Sequence, residues 1–233
     1  MAKSPTFGKA EVRYEAPETL DGLGLEDGIN VGAWNEGTSD TCPVCFVSFV
    51  DDTRDVATIN HCGHTFHECC LRQAISFMGC RCPVCRTPIC EPNGKMPSGT
   101  MRITVDPNMT CAGFPKGTIV ITYSIPSGIQ KEYHMNPGQK YGATERHAFL
   151  PLIEEGLELL ARLKYAFQHG LTFGIGTSLT TGRSNSVIWT SIHHKTSLSG
   201  GAHGWPDPAY FLNCNEALDA LGVPQPEELK QKS

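Results

Sequence analysis

The sequence lacks the features that mark membrane and secreted proteins. Its most apolar stretch, GTIVITYSI at 117–125, is far too short to cross a bilayer. The N-terminal residues, MAKSPTFGKAEVRYEAPETL, contain no apolar segment of the kind that a signal peptide needs. We therefore expect a soluble protein of the cytoplasm and/or the nucleus, without a membrane partner.

Basic residues are also scarce. The chain of 233 residues has 19 Lys and Arg against 24 Asp and Glu, which gives a formal net charge of −5. A protein that coats nucleic acid usually presents a basic face that neutralises phosphates. The charge balance argues against that class of protein.

Cysteine, in contrast, is abundant and unevenly distributed. Nine of the 11 cysteines lie between Cys42 and Cys90, and only Cys111 and Cys214 lie outside that range. In a chain without a signal peptide, such a count favours metal binding over disulfides. The cysteine chemistry is therefore local, and the chain divides in two.

Composition and periodicity suggest how the chain is organised. We expect a flexible segment at 1–39, a cysteine cluster at 40–88, a linker at 89–98, an α+β domain at 99–225 and a tail at 226–233. The first segment is rich in Gly, Pro, Glu and Asp without a sustained period, and the linker, ICEPNGKMPS, contains two prolines and a glycine.

The segment 99–225 has the patterns of an α+β domain with a mainly antiparallel sheet and helices. TMRITV alternates as a strand does, and GTIVITYSI, LTFGIGTS and NSVIWTSI are further strand candidates. The predicted helices are 150–170, with Leu157, Leu160, Leu163 and Phe167 at helical spacing and Gly170 as its stop, and 207–222, which begins with Asp207 and Pro208 and ends at Gly222.

The metal-binding side chains of the cysteine cluster have a regular spacing. They run as Cys42-x2-Cys45, then Cys62-x-His64-x2-His67-x2-Cys70, then Cys82-x2-Cys85. A C-x2-C pair lets two thiolates reach one zinc ion from a tight turn. Eight ligands make two sites, each with three thiolates and one imidazole and a formal charge of −1. Because four protein ligands leave no position for water or substrate, we expect two structural Zn²⁺ ions.

Two other zinc proteins do not fit this pattern. A zinc deaminase needs H-x-E and a proline before the first cysteine of its pair, whereas Glu68 directly follows His67 and Pro83 lies inside the pair. A DNA-reading finger needs about twelve residues between a cysteine pair and a histidine pair. Here the middle block mixes Cys and His.

The order C-C-C-H-H-C-C-C, with CPVCR at its end and Leu71 after the sixth ligand, resembles the RING-H2 finger of ubiquitin ligases. The resemblance implies a cross-braced, zinc-bound α+β fold that leaves His61 and Cys69 outside the sites. Its implied ligand sets are Cys42, Cys45, His67 and Cys70 for one zinc, and Cys62, His64, Cys82 and Cys85 for the other.

The same resemblance implies a surface for a ubiquitin-conjugating enzyme (E2). Val44, Phe46 and Pro83 would contact the E2, and Arg86 would bridge the E2 and its ubiquitin, because a guanidinium can donate to two carbonyls. Catalysis would then consist of positioning the thioester for an acceptor amine. In the alternative interpretation, Val44 and Phe46 belong to a small core and Arg86 is a solvated charge.

The later segments GTIVITYSIPSGIQ at 117–130, HMNPGQKY at 134–141, IHHKT and HGWPDP together resemble the Deltex C-terminal domain over roughly 94–225. The resemblance implies that this domain binds ADP-ribose or NAD. The residues that it assigns to the pocket are Gly176, Thr177, Ser178, Thr180, Thr181 and Gly182 near the phosphates, with His193, His203 and Trp205, whose ring would stack on a base or ribose. From the residues themselves, a tight polar turn fits the loop at least as well. For any one of His193, His194 and His203 alone, a hydrogen-bonded structural histidine fits better.

The catalytic glutamate of the family falls on Ala217 when its last helix is aligned without a gap. Glu216 stands one residue earlier, and one residue rotates a helix position by about 100°. We therefore expect Glu216 to point elsewhere, and ubiquitin transfer to hydroxyl groups is the activity that this change affects.

Taken together, the resemblances imply a RING-type E3 ubiquitin transferase with a link to Notch signalling. Its partners would be an E2, ubiquitin and a protein substrate, including ADP-ribosylated ones, with nucleic acid only as a modified acceptor. Two alternatives remain open: a non-catalytic zinc scaffold that reads ADP-ribose, and ADP-ribosylation of the ubiquitin C-terminus.

Overall fold

A computed structural model describes residues 10–18, 25–34, 41–78, 80–179 and 181–231. The strands are β1 Ala10–Tyr14, β2 Ile29–Gly32, β3 Val56–Ile59, β4 Thr65–His67, β5 Gly99–Asp106, β6 Thr118–Ile125, β7 Gly128–Ile129, β8 Lys140–Tyr141, β9 Thr144–Pro151, β10 Phe173–Gly176 and β11 Ser186–Trp189. The helices are α1 Leu25–Gly28, α2 Glu68–Met78, α3 Glu154–Gln168, α4 Tyr210–Ala220 and α5 Pro226–Gln231. Across these described stretches, no helix is long and apolar enough to cross a bilayer.

The chain forms two compact units. The cysteine-rich unit is Leu20–Pro92, and the C-terminal unit combines Met1–Thr19 with Asn93–Ser233. The cysteine-rich unit contains the antiparallel sheet β2-β3-β4 and helix α2. Its small core includes Phe49, Ile59, Phe66 and Leu71, all nearly fully buried.

The C-terminal unit is built on an antiparallel sheet with the strand order β1-β5-β6-β9. Strand β6 buries Ile119, Ile121, Tyr123 and Ile125, because alternate side chains of a strand point to the same face. Helix α3 supplies the other side of this core and contacts β1, β9, α4 and α5. Two short strand pairs, β7-β8 and β10-β11, complete the unit. The predicted α+β fold with antiparallel sheets is confirmed.

The interpretation of 1–39 as a flexible segment is wrong for the described stretches of that range. Strand β1 pairs with β5 along its whole length and buries Val12 and Tyr14. Strand β2 pairs with β3 in the cysteine-rich unit. Each strand is too short to show a period of its own, and its pairing partner lies far away in sequence.

The interpretation of 89–98 as a linker is wrong for its apolar residues. Ile89 is buried in the core of the cysteine-rich unit, and Met96 is buried in the core of the C-terminal unit. The Gly94 N–H donates to the His169 carbonyl at 2.7 Å. A Cβ on Gly94 would lie 2.0 Å from the Gly170 oxygen, so the close backbone approach requires glycine there.

Two predicted boundaries near the C-terminus also need correction. The segment 226–233 is helical through its described part, because Pro226 suits a first helical position and the Gln225 N–H donates to the Glu228 carboxylate. Helix α4 begins at Tyr210, later than predicted, and Asp207 instead accepts the Ala209 N–H ahead of the helix.

Candidate functional site

Two hairpins with the same backbone geometry present the C-x2-C pairs. In the first, the Phe46 N–H donates to the Cys42 carbonyl and the Cys42 N–H to the Val47 carbonyl. In the second, Arg86 and Cys82 make the equivalent bonds. Phe46 and Arg86 have φ values of 60° and 64°, as the tight turn requires. We call these turns the first knuckle (41–48) and the second knuckle (81–88).

The structure brings the eight predicted ligands together in two clusters. They are Cys42, Cys45, His67 and Cys70 in the first, and Cys62, His64, Cys82 and Cys85 in the second. The ligand atoms of each cluster lie within 4.8 Å of one another. Tetrahedral zinc with Zn–S bonds of about 2.3 Å places sulfurs nearly 4 Å apart, so both clusters fit the ion.

The β3–β4 hairpin and the start of α2 connect the two clusters. The turn between β3 and β4 carries Cys62 and His64, which belong to the second cluster. His67, at the end of β4, belongs to the first cluster. Each cluster therefore combines one knuckle with residues from this central segment, which is the cross-brace. Exposed His61 and Cys69 belong to neither cluster.

An ion pair between Arg54 and Asp52, which the sequence did not indicate, lies beside the first cluster. The Arg54 guanidinium approaches the sulfurs of Cys69, Cys45 and Cys70 at 3.7, 3.8 and 3.9 Å. Hydrogen bonds from Arg54 lower the pKa of the Asp52 carboxyl to about 2. The carboxylate lies 3.7 Å from Nε2 of His67. A cation here offsets the net negative charge of three thiolates around one zinc.

The predicted E2 surface is exposed at both knuckles. Phe46 is 80% exposed and Val44 is 37% exposed, while Pro83 is half-buried and Arg86 is exposed. These exposures favour a contact surface over a core role for Phe46. Val84, 49% exposed, is a further apolar residue there, and the repeated CPVC signalled its equivalence to Val44.

In the C-terminal unit, the loop after β10 is a tight polar turn. Gly176 is buried at the end of β10, and exposed Thr177 begins the loop. Ser178 donates its N–H to the Arg183 carbonyl, and its own carbonyl accepts from Gly182 at 2.8 Å. The Thr181 N–H donates to the Ser178 hydroxyl. These backbone donors are used inside the loop. Thr180 lies outside the described residues.

The predicted pocket histidines share one loop. His193 and His203 are both exposed, and the His203 carbonyl accepts the N–H groups of Thr196 and Ser197. The His193 carbonyl accepts a hydrogen bond from the Tyr210 hydroxyl at 3.1 Å. The loop thus fixes the backbone and leaves both imidazoles at the surface.

Trp205 does not match its predicted role. It is 1% exposed, its Nε1–H donates to the Phe149 carbonyl, and its ring contacts Phe114, Tyr210 and Phe211. The prediction that this ring stacks on a ligand is therefore wrong, because aromatic neighbours already cover it.

A buried cation closes the loop that carries these histidines. Lys195 is 4% exposed, and its Nζ lies 2.6 Å from the Asp207 carboxylate and donates to the Ala202 carbonyl. The hydrogen bond from Lys195 lowers the pKa of Asp207. This pair joins the segments IHHKT and HGWPDP, which the sequence presented as separate motifs.

His194, for which the sequence favoured a hydrogen-bonded structural role, is a core residue. Its Nε2 lies 2.9 Å from the Tyr123 hydroxyl, its Nδ1 lies 2.9 Å from the Ile192 carbonyl, and Trp189 stacks on it at 4.2 Å. Burial lowers its pKa to about 4. The neutral ring therefore donates from Nδ1 and accepts at Nε2, which anchors the loop directly beside His193.

Ala217, and not Glu216, lies on the side of α4 that contacts the loop carrying His193 and His203 (190–209). Tyr210 and Cys214 of this helix contact the His193 carbonyl, and Ala217 follows Cys214 by three positions on the same side. Glu216 is exposed and rotated away by about 100°. Glu216 therefore lies on a different side of α4 from Tyr210 and Cys214, and its predicted loss of the catalytic role stays a prediction.

The two cysteine–histidine clusters and the α+β domain define a zinc-binding RING protein with a second, separate domain. A sequence model of the Ring finger domain matches residues 40–86, and one of the Deltex C-terminal domain matches residues 93–223, more than half of the chain. The chain therefore belongs to the Deltex family.

Several Deltex proteins are similar to this chain. It is 39% identical over 192 residues to the Homo sapiens "Probable E3 ubiquitin-protein ligase DTX3", covering 81% of this chain and 54% of that protein. It is 40% identical over 177 residues to "E3 ubiquitin-protein ligase DTX1" of Homo sapiens, covering 72% and 28%. For "E3 ubiquitin-protein ligase DTX4" of Mus musculus, the values are 37% over 186 residues, 76% and 30%. The chain spans about half the length of the first of these relatives.

Proposed function

We propose that this chain is a RING-type E3 ubiquitin ligase that binds an E2–ubiquitin conjugate and promotes ubiquitin transfer to a protein substrate. The observation that carries the proposal is the cross-braced pair of ligand clusters within the segment matched by the Ring finger domain. Closed four-ligand sites do no bond-making. The reaction would therefore depend on how the finger positions the conjugate for an acceptor amine.

The eight ligand residues would hold two structural zinc ions, and the knuckles would supply the docking surface. Exposed Val44 and Phe46 offer apolar contact, and Pro83 and Arg86 extend it from the second knuckle. The Arg86 carbonyl accepts a hydrogen bond from Arg81, which fixes the backbone from which the Arg86 side chain projects.

The ligase proposal is tested by mixing the chain with E1, a panel of E2 enzymes, ubiquitin and ATP. Val44→Glu should abolish chain formation, because a charge in an apolar contact is costly to desolvate. Val31→Glu changes a similarly exposed valine in β2 and should keep activity. Absence of chains with every E2 would contradict the proposal and would favour the non-catalytic scaffold.

The C-terminal unit would bind ADP-ribose or NAD, or ADP-ribosylated targets, at the loop that carries His193 and His203. The two exposed imidazoles on a backbone fixed by Lys195 and Asp207 support this assignment. Calorimetry with ADP-ribose should give heat that His203→Ala removes. His147→Ala, another exposed histidine of the same unit, should leave it unchanged. Equal heats for all three proteins, or none, would contradict this site.

Transfer of ADP-ribose to the ubiquitin C-terminus is the second candidate, and it is a separate outcome of the same mixture when NAD is added. Mass analysis of ubiquitin distinguishes the two.

Transfer of ubiquitin to hydroxyl groups is a further activity of the family. Because Ala217 stands in place of the family's glutamate, three positions after Cys214 on α4, we expect no such transfer by this chain. Mutating Ala217→Glu should create that activity if the loop binds ADP-ribose.

The location proposed for this activity is the cytoplasm and/or the nucleus, with Notch signalling as the pathway. Cysteines that bind zinc must be reduced, and cysteines remain reduced in the cytoplasm and the nucleus. Fluorescence imaging of the tagged chain tests the location, and a Notch reporter measured after loss of the chain tests the pathway. Secretion of the chain, or an unchanged reporter, would contradict the respective part.

A further inference from the structure

Two cysteines outside the zinc clusters form a disulfide. Cys80 and Cys90 are joined across ten positions, with their Cα atoms 5.7 Å apart, inside the range that disulfides normally span. Both are half-buried. Neither residue belongs to a ligand cluster, so their bond leaves all eight zinc ligands as thiols or imidazoles.

This bond lies at the base of the second knuckle. The Ile89 N–H donates to the Cys80 carbonyl at 3.0 Å, a β-bridge pairs Arg81 with Pro88, and the Cys82 N–H donates to the Thr87 carbonyl. These contacts form a short ladder with the ligands Cys82 and Cys85 at its tip. The disulfide closes the open end of that ladder.

The first knuckle has the equivalent turn hydrogen bonds and β-bridge, but its sequence offers no cysteine pair at the base. Its bridge pairs Thr41 with Ser48, and its CPVC stands forty positions before that of the second knuckle. By the same offset, the counterparts of Cys80 and Cys90 are Asp40 and Val50. The sequence thus gives one of two equivalent zinc hairpins a pair of thiols.

We infer that Cys80 and Cys90 are a reversible thiol–disulfide pair whose oxidation locks the second knuckle around its zinc. The oxidant is a low-molecular-weight disulfide such as oxidised glutathione. One cysteine thiolate attacks it, forming a mixed disulfide and releasing one glutathione. The other cysteine then attacks the protein sulfur of that mixed disulfide and releases the second glutathione. Two protein thiols are oxidised, and one disulfide is reduced to two thiols.

Locking the hairpin changes the metal-free state more than the metal-bound state. A crosslink of about ten residues restricts the conformations that the segment adopts once zinc leaves. Cys82 and Cys85 therefore stay close together and recapture the ion. Zinc exchange from the second cluster should slow by about tenfold when the bond forms, and exchange from the first should not change. This inference depends on zinc binding and not on ligase activity.

The test uses the zinc-loaded full chain, incubated with dithiothreitol or with oxidised glutathione and then exposed to a zinc chelator. Native mass spectrometry should show two bound zinc ions in both forms, and peptide mapping should find the Cys80–Cys90 bond only after oxidation. Timed alkylation should then show slower exposure of Cys82 and Cys85 in the oxidised form, with Cys42 and Cys45 unaffected.

Variants separate this effect from general thiol chemistry. The double variant Cys80→Ser with Cys90→Ser should behave like the reduced chain under both conditions. Cys69→Ser, which removes an exposed cysteine outside both clusters, should keep the response. Loss of zinc on oxidation, a bond that includes a zinc ligand, or equal alkylation rates in both forms would each overturn the inference. Because no readout measures ubiquitin transfer, a failed ligase test leaves this result interpretable.

Discussion

The two units of this chain are stabilised in different ways. In the cysteine-rich unit, Cys42, Cys70 and Cys82 are themselves part of the small buried core, so the fold depends on what those thiols bind. The C-terminal unit buries a four-stranded sheet against α3, and its described core is made mainly of apolar side chains. A short segment compensates for a small core with ligand bonds, whereas a longer one uses apolar area.

Zinc removal should produce the largest difference in stability between the two units. Structural zinc contributes on the order of 10 kcal/mol to folding of a segment this small, so a chelator should unfold the cysteine-rich unit. Amide exchange should then become fast in β3 and β4 and stay slow in β5 and β6. Loss of protection in both units at the same chelator concentration would contradict this difference.

Among the described residues, buried arginine and lysine side chains occur only in the C-terminal unit. The next effect concerns one of them, Arg162. Arg162 of α3 is 0% exposed, donates to the Asn215 side chain at 2.6 Å and to the Val223 carbonyl at 3.0 Å, and pairs with Asp219. Arg162→Met should lower the free energy of unfolding of this unit by about 4 kcal/mol, because it leaves buried acceptors unpaired.

Urea denaturation followed by the amide signals of β6 measures this loss. Lys164→Met, on the same helix and partly exposed, should cost little. Zinc content should be unchanged in both variants. Equal costs for the two substitutions would show that the Arg162 contacts do not stabilise the fold.

A smaller effect depends on pH. Burial lowers the pKa of His194 from 6.5 to about 4, so between these values the unfolded chain binds a proton that the folded chain does not. The stability linked to His194 is therefore complete above pH 6.5 and is lost as pH falls towards 4, by about 3 kcal/mol.

Exchange of β6 amides at several pH values measures this dependence without interference from zinc release in the other unit. His194→Gln keeps one donor and one acceptor and should flatten the profile between pH 6.5 and 4. His147→Gln changes an exposed histidine and should not. An identical slope for wild type and His194→Gln would contradict the neutral buried ring.

The smallest effect concerns the junction that the sequence suggested was a linker. Gly94→Ala should destabilise the C-terminal unit by about 2 kcal/mol, because its Cβ meets the Gly170 backbone. Gly174→Ala has no atom within 4 Å of the added Cβ and serves as the control. Thermal unfolding of both variants decides whether 93–98 is part of the unit or a spacer.

Local patterns predicted the elements that depend on nearby residues. The ligand spacing and family resemblance indicated the cross-brace, and helical spacing with Gly170 located α3 within a few residues. Strand β9 was missed, because Glu145, Arg146 and His147 interrupt its apolar pattern at an exposed surface. Partners distant in sequence were also invisible: β1 needs β5, and the His194 bond needs Tyr123, which is 71 positions away.

Among the site residues too, local motifs indicated positions, whereas contacts between residues distant in sequence could not be predicted. The positions of His193 and His203 came from short motifs, but the burial of Trp205 depends on Phe114 and Phe149, which no local pattern connects to it. Arg54 beside the thiolates was equally unmarked, because a charge near a ligand in space need not be near it in sequence.

Single-turnover discharge of ubiquitin from a charged E2 tests the central claim most directly. The zinc-loaded chain should accelerate discharge to free lysine, and Val44→Glu or zinc removal should return the rate to that of the E2 by itself. A rate that stays at that background with the wild-type chain and every E2 tried would contradict the assignment of this RING as a ligase.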